Sequence, residues 1–461
     1  MKRDAIDLGT AGVFTLFRKY FVPTLFGMLS MSAVTAMDGI FVGHGIGSDG
    51  IAAINICIPL LMLFTGMGLM VGAGASVVAS IHLSHGKPKA ARLNVTQAIL
   101  FVTIVALIPS VLMMAYPSAT ARLLGASGHL TPMVREYLLW FVPQLMFQMW
   151  CSVCLFIIRL DGSPRLAMMC NLTAAIVSVL LGWLFIFPFG WGLMGAAFAA
   201  TIGLFVGGVM GIVYLFRFAD KLRFYPMKWS VKSLRLFIRN IGCQCRIGSS
   251  ALLTEATLAT LMFVGNHVFM TYLGDDGVGA FGIACYYIPF VFMVGNAIAQ
   301  SAQPIISYNF GSGYRTRVVA TERIALLTSV VCGVIIMAAF SLFPHLLVGL
   351  FINPDNASAR IAIEGYPYFS TAFVFFILNL TVIGYYQSVE QVKPATALAL
   401  LRGFIFLIPS FLLLPKAMGT NGIWLALCLS EVLTTICILV GFLIRTAKGK
   451  RFVPMKTIGN K

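Results

Sequence analysis

Gly47-Ser48-Asp49-Gly50-Ile51-Ala52-Ala53 recurs as Gly274-Asp275-Asp276-Gly277-Val278-Gly279-Ala280. Each copy opens a long apolar run, and the two lie half a chain apart. Further pairs keep the same offset, roughly 225–230 residues. Ile58-Pro59 answers Ile288-Pro289, and Gly192-Leu193-Met194-Gly195 answers Gly419-Thr420-Asn421-Gly422. The chain therefore reads as a duplicated unit. The acidic residue in each copy stands where a helix begins, so Asp49 and Asp276 are expected to cap free backbone N–H groups and face the positive end of the helix dipole.

What is duplicated follows from composition. Of 461 residues, 59% are apolar and only 10% charged, with a mean hydropathy of +0.93. A soluble domain carries about 45–50% apolar and about 25% charged residues. Disorder, a disulfide scaffold and a cytosolic enzyme are excluded, and a polytopic membrane protein remains. Runs of about 20 apolar residues fall near 20–42, 51–81, 95–116, 133–157, 166–187, 193–216, 247–272, 278–307, 324–343, 362–387, 396–414 and 421–444. They are continuously apolar rather than alternating, which predicts helices and not a barrel. The expected fold is all-α: twelve transmembrane helices in two six-helix bundles. Six spans per half give both halves the same orientation, a parallel repeat about an axis along the membrane normal.

Lys and Arg set the orientation. With the N-terminus inside, 26 of the 32 cations fall on one side; only Arg122, Arg135, Arg360 and Lys416 fall on the other, and Arg246 and Arg402 lie within spans. Both termini are expected in the cytoplasm, the chain being a multi-pass membrane protein. The net charge of +17 is thereby accounted for without nucleic acid. The expected organisation is an N-terminal lobe 1–216, a basic linker 217–246, a C-terminal lobe 247–445 and a basic tail 446–461. No cleavable signal is read in the charged lead before the first span.

The ten cysteines lie in apolar segments, and no histidine stands near Cys151-x-x-Cys154 or near Cys243 and Cys245. They are read as small packing residues rather than metal ligands. Gly203, Gly207 and Gly211, and likewise Gly68 and Gly72, form ridges that let helix backbones approach. No P-loop, HExxH, nucleophile elbow or dinucleotide fingerprint occurs, so neither a primary pump nor an enzyme is expected.

An ionisable group at mid-bilayer costs roughly 2.5–3.5 kcal/mol and needs a reason. Asp38 in span 1 and Glu255 in span 7 occupy equivalent spans, one carboxylate for each half of the repeat, and Glu431 lies in span 12. These three are the candidate cation-coupling residues. For each the alternative is a carboxylate bonded to a neighbouring helix for packing, and the balance is even for Glu431. Arg402 is expected to pair with a carboxylate or to snorkel. Gln144, Gln148, Asn171, Asn296, Gln300 and Gln303 are candidate lining residues of a substrate cavity, or bonds between helices.

The duplicated layout, Met37-Asp38-Gly39-Ile40-Phe41-Val42-Gly43, Ala302-Gln303-Pro304-Ile305-Ile306-Ser307-Tyr308-Asn309-Phe310-Gly311 with Arg317, and Arg402 with Pro409 resemble the multidrug and toxic compound extrusion (MATE) transporters, in their MepA-like branch. The resemblance covers nearly the whole chain. It implies secondary active export of cationic amphipathic drugs in exchange for inward Na⁺ or H⁺, by rocking between outward- and inward-open states, with no cofactor. Asp38 falls on the family's span-1 acid and Glu255 near its span-7 acid. Where the family often carries Asn and Asp late in span 5, this chain has Ser178 and Gly182, which implies a different ion network. The resemblance further implies a monomer in the lipid bilayer of a bacterial plasma (inner) membrane. A lipid or oligosaccharide flippase of the same superfamily is the alternative, and it would want a cavity richer in Arg and Lys.

Overall fold

A computed structural model describes residues 7–46, 48–126, 128–226, 230–351 and 356–447. Lys2, Arg3, Gly47, Lys228 and the tail beyond Ala447 lie outside them, as does the side chain of Asp49, so its expected cap is not described. The described residues are nearly all helical and contain no strand. In order they are α1 (Val13–Gly45), α2 (Ser48–Ser84), α3 (Pro88–Ala115), α4 (Pro117–Leu123), α5 (Thr131–Leu160), α6 (Pro164–Ile186) and α7 (Gly192–Val213). There follow α8 (Val231–Gly311), α9 (Arg315–Leu342), α10 (Pro344–Gly349), α11 (Ala357–Ser388), α12 (Val392–Leu400) and α13 (Leu407–Ala447).

Among the described residues eleven stretches are long and apolar enough to cross a bilayer. The last of them, Val392–Ile444, has 53 residues, about 80 Å at 1.5 Å per residue and far more than one crossing needs. It breaks at Gly419, whose φ of 61° is left-handed, a conformation that glycine reaches without a side-chain clash. The repeat partner of that break is Gly192, with φ 54°. Splitting there gives the twelve spans of a multi-pass membrane protein. Gly274, the first residue of the second copy of the repeated motif, has φ 64° and breaks α8 in the same way. There the carboxylate of Asp276 accepts from Ser358 Oγ at 3.2 Å.

The chain divides into two compact units, Met1–Glu255 and Ala256–Lys461. In the first, α7 packs on α5 and α6, α2 on α5, and α1 on α6. The glycine ridges make these contacts. A Cβ on Gly203 would meet Ser178 Cβ at 2.8 Å, one on Gly211 would meet Cys154 Cβ at 2.7 Å, and one on Gly207 would lie 3.4 Å from Cys151 Sγ. Cys151 and Cys154 are thus the small residues that face the ridge, free and buried. On α2, Gly68 and Gly72 face Met149, Ser152 and Val153 of α5 in the same manner. Lipid-embedded helices gain little from hydrocarbon burial, so close approach of small residues carries their association.

The basic segment after α7 is pinned rather than loose. Asp161, at the turn between α5 and α6, accepts from the backbone N–H groups of Asp220, Lys221 and Leu222 at 3.0–3.2 Å and from Tyr214 Oη at 2.7 Å. Arg92 donates to the carbonyls of Asp220 and Lys221. Helix resumes at Val231, so the span read as starting near 247 extends well back into the basic segment. This early part of α8 belongs to the first unit. Gln244 Nε2 donates to Asn94 Oδ1 at 3.1 Å and Asn240 Nδ2 to Gln97 Oε1 at 2.9 Å. Gly74 of α2 lies against the Gln244 carbonyl, and Gly248 lies against the Met70 carbonyl.

In the second unit α11 is central, packed on α9 and α13. Gly333 of α9 faces Val374, and Gly365 of α11 lies against the Trp424 indole. Phe269, Phe281, Phe369 and Trp424 form a ring cluster with centroids 4.6–5.7 Å apart, in stacked and edge-to-face arrangements that aromatic quadrupoles favour.

Candidate functional site

The buried ionisable groups fall into two environments. In the first unit Asp38, late in α1, is half-buried. Among the described residues it makes no hydrogen bond or ion pair, and the buried Tyr137 of α5 lies within its electrostatic neighbourhood. Beside this stretch of α1, Gly182 of α6 faces the Phe41 ring, from which a Cβ at 182 would lie 3.6 Å, an ordinary contact distance. Ser178 Oγ is buried without a hydrogen bond.

Glu255 is 7% exposed and also makes no hydrogen bond or ion pair among the described residues. Its stem fits beside a missing side chain, since a Cβ on Gly66 of α2 would sit 3.4 Å from Glu255 Cβ. The structure therefore places Glu255 in the same compact unit as Asp38, although the repeat alone would give one carboxylate to each half. The cause is the early part of α8, which packs on α2 and α3 down to this residue.

In the second unit the carboxylate and the cation meet. Arg402 Nε donates to Glu431 Oε1 at 2.7 Å, and both side chains are 1% exposed. Asn379 Nδ2 of α11 donates to Glu431 Oε2 at 2.8 Å and Thr435 Oγ1 to Asn379 Oδ1 at 2.9 Å. The guanidinium carbon of Arg402 lies 4.1 Å from the Phe376 ring centroid, a cation–π contact strengthened by desolvation. Arg402 sits in a π-helical turn, Leu401–Ile405, and such single turns recur at special positions within helices. Gly403 allows that turn to lie against Thr257 Oγ1. Of the two roles open to Arg402 in the sequence, pairing is the one observed.

The softer polar residues divide between the units. Gln144, Gln148 and Asn171 lie in the first, with Gln144 Oε1 buried and unbonded and Asn171 beside Gly27. Asn296, Gln300 and Gln303 lie in the second, where Gln300 is 9% and Gln303 3% exposed. Sequence reading passed over Asn379, Tyr137 and Glu322. Glu322 is 3% exposed and its Oε2 has no hydrogen bond. It sits beside Arg323 at a span edge, where an acid reads as a surface charge. The signal was available in the spacing, because Val318, Glu322, Ala325, Ser329 and Gly333 form one buried stripe of α9 at the helical repeat.

The MatE family pattern matches the chain twice, over residues 23–184 and 251–412, in agreement with the internal repeat. The multidrug export protein MepA of Staphylococcus saprophyticus is 25% identical over 441 residues, 94% of each chain. The MepA of Staphylococcus aureus MRSA252 is 23% identical over 437 residues, 94% of this chain and 93% of that one. Among solved structures, an outward-facing multidrug resistance MATE family transporter of the MOP superfamily aligns with a TM-score of 0.88 at 18% identity, covering 98% of this chain and all of that one. A MOP superfamily transporter from Pyrococcus furiosus aligns at 0.87 with 17% identity over the same shares. With both halves matched, the chain belongs to the MatE family.

Proposed function

We propose that this protein is a secondary active multidrug exporter. It moves cationic amphipathic compounds out of the cell in exchange for Na⁺ or H⁺, working by alternating access as a monomer in the bacterial plasma membrane with both termini cytoplasmic. The observation that carries this reading is Asp38, a half-buried carboxylate in a membrane-spanning helix with no fixed hydrogen bond or counter-ion. Such a group is costly to keep in a span, and it is free to hold a small cation and then exchange it for a larger one. Differential affinity of the two conformations for that ion supplies the drive. The MepA relatives, named as multidrug export proteins, support the substrate class.

Of the two ions the proton fits better. Hard metal cations take a shell of oxygens, whereas positions 178 and 182, Ser and Gly here, bring one hydroxyl and no carboxylate. Glu255 is the second proposed coupling residue. Glu431 is assigned a structural role as the counter-ion of Arg402, because both its oxygens are held by fixed donors.

The test is ethidium efflux from proteoliposomes under an imposed pH or Na⁺ gradient. The proposal expects efflux that follows the pH gradient and is lost in Asp38→Asn. Absence of efflux under both gradients, with correctly inserted protein, rejects it.

A further inference from the structure

The start of α8 carries a feature that transport does not use. Lys232, Arg235, Arg239 and Arg246 stand at offsets of three, seven and fourteen residues, which places all four on one face at about 3.6 residues per turn. All four side chains are exposed, and none makes a hydrogen bond or ion pair among the described residues. Alongside, one residue earlier in register, Val231, Leu234 and Ile238 form an apolar ridge that is 79%, 58% and 63% exposed. The third face points inward: Ile241 is buried, and Asn240 and Gln244 bond to Gln97 and Asn94 of α3.

Length locates this face at the membrane boundary. The segment Val231–Gly274 has 44 residues, about 66 Å of helix against about 30 Å of hydrocarbon. Gly274 closes the far end, and residues 247–272 are the apolar run, so the excess is the sixteen residues that hold the four cations. Arg246 and Arg239 stand within about 12 Å of the apolar run, at the depth of the lipid phosphates, and Arg235 and Lys232 extend the cationic stripe outward.

We propose that residues 231–246 are a docking face for anionic phospholipids of the cytoplasmic leaflet. Phosphodiester headgroups pair with Arg246 and Arg239, and Arg235 and Lys232 extend the cationic face outward. Juxtamembrane cations of this kind attract anionic lipid within a Debye length. Through Asn240 and Gln244 the bound lipid steadies the contact of α8 with α3. The site is independent of the exchanged ion and of the drug.

The test is binding, so it does not depend on export activity. The full-length protein in neutral detergent is melted by tryptophan fluorescence with phosphatidylglycerol, phosphatidylcholine or inorganic phosphate added. The expected result is a Tm rise of several degrees with phosphatidylglycerol alone, halved or better in Lys232→Gln/Arg235→Gln/Arg239→Gln/Arg246→Gln. That variant keeps the wild-type Tm in phosphatidylcholine. An equal rise in the variant, or the same rise with inorganic phosphate, overturns the proposal. Should the fourfold variant fail to fold, photoactivatable phosphatidylglycerol on the wild type decides: crosslinks concentrated in peptide 231–246 uphold the site, and crosslinks elsewhere reject it.

Discussion

Arg402 and Glu431 face each other across 2.7 Å in the interior of the second unit, and Asn379 holds the other carboxylate oxygen. A carboxylate enclosed in this way is poorly suited to trading ions, because releasing its partner leaves a guanidinium uncompensated in a low-dielectric interior. The same geometry makes the pair a large stability determinant when broken. Arg402→Met is expected to cost about 3–5 kcal/mol, the usual penalty for stranding one member of a buried pair. Arg402→Met combined with Glu431→Met recovers most of that loss. Thermal melting of the purified proteins checks it; a single variant as stable as the double one would show that the pair contributes no coupling.

Asp38 predicts the opposite signature. Its carboxylate makes no hydrogen bond or ion pair among the described residues, so Asp38→Asn is expected to keep normal abundance and to be no less stable than wild type, since it removes a charge that is costly within a span. Drug resistance in an efflux-deficient host should fall to the level of the empty vector. Glu255→Gln should follow the same pattern. Resistance retained by the Asn variant removes Asp38 from the mechanism.

The contact between α2 and the start of α8 rests on two glycines. A side chain at Gly74 would enter the Gln244 carbonyl, and one at Gly248 the Met70 carbonyl. Both obstacles are backbone, which cannot rotate aside. Gly74→Val and Gly248→Val should each separate the helices and break the hydrogen bonds of Asn240 and Gln244 to α3. The measurement is susceptibility of the 219–246 segment to limited proteolysis in membranes. Protection equal to wild type would mean that the helices accommodate the added methyls.

How much was legible follows from what each feature depends on. Hydropathy and the repeated glycine motifs are local signals, and they gave twelve spans, the duplication and the ridge glycines that meet Cys151 and Cys154. The pairing of Arg402 with a carboxylate was open in the sequence, but its partner was not fixed, since residues 29 positions apart meet only through helix packing. Asn379 was invisible for the same reason. Sequence reading assigns Glu255 to the C-terminal lobe because the early part of α8 reads as a linker: its four cations mask the small and polar residues that pack it on α2 and α3 of the first unit. Glu322 was hidden by the charge next to it.

The repeat also exposes a strained position. At the turn after α5, Gly162 has φ 87°, and Ser163 N–H donates to the Ile158 carbonyl at 3.1 Å. After α11 the same pattern recurs, with Gln391 N–H donating to the Tyr386 carbonyl at 2.8 Å, but the left-handed residue is Glu390, with φ 57°. The left-handed region costs an L-residue roughly 1–2 kcal/mol, offset in part by the greater unfolded-state freedom of glycine. Glu390→Gly is therefore expected to stabilise the protein by about 0.5–1 kcal/mol. Charge adds a second, separable effect, for burial pushes the Glu390 carboxyl above its ordinary 4.5. A group raised in the folded state favours folding while it is protonated, and that contribution is lost as pH rises through the raised value. Glu390→Gln keeps the backbone strain and removes the charge. It should melt above wild type at neutral pH and level with it below about pH 4.5, the unfolded value. Tm profiles of the three proteins against pH separate the two effects; parallel profiles for wild type and the Gln variant would show that the charge carries no penalty.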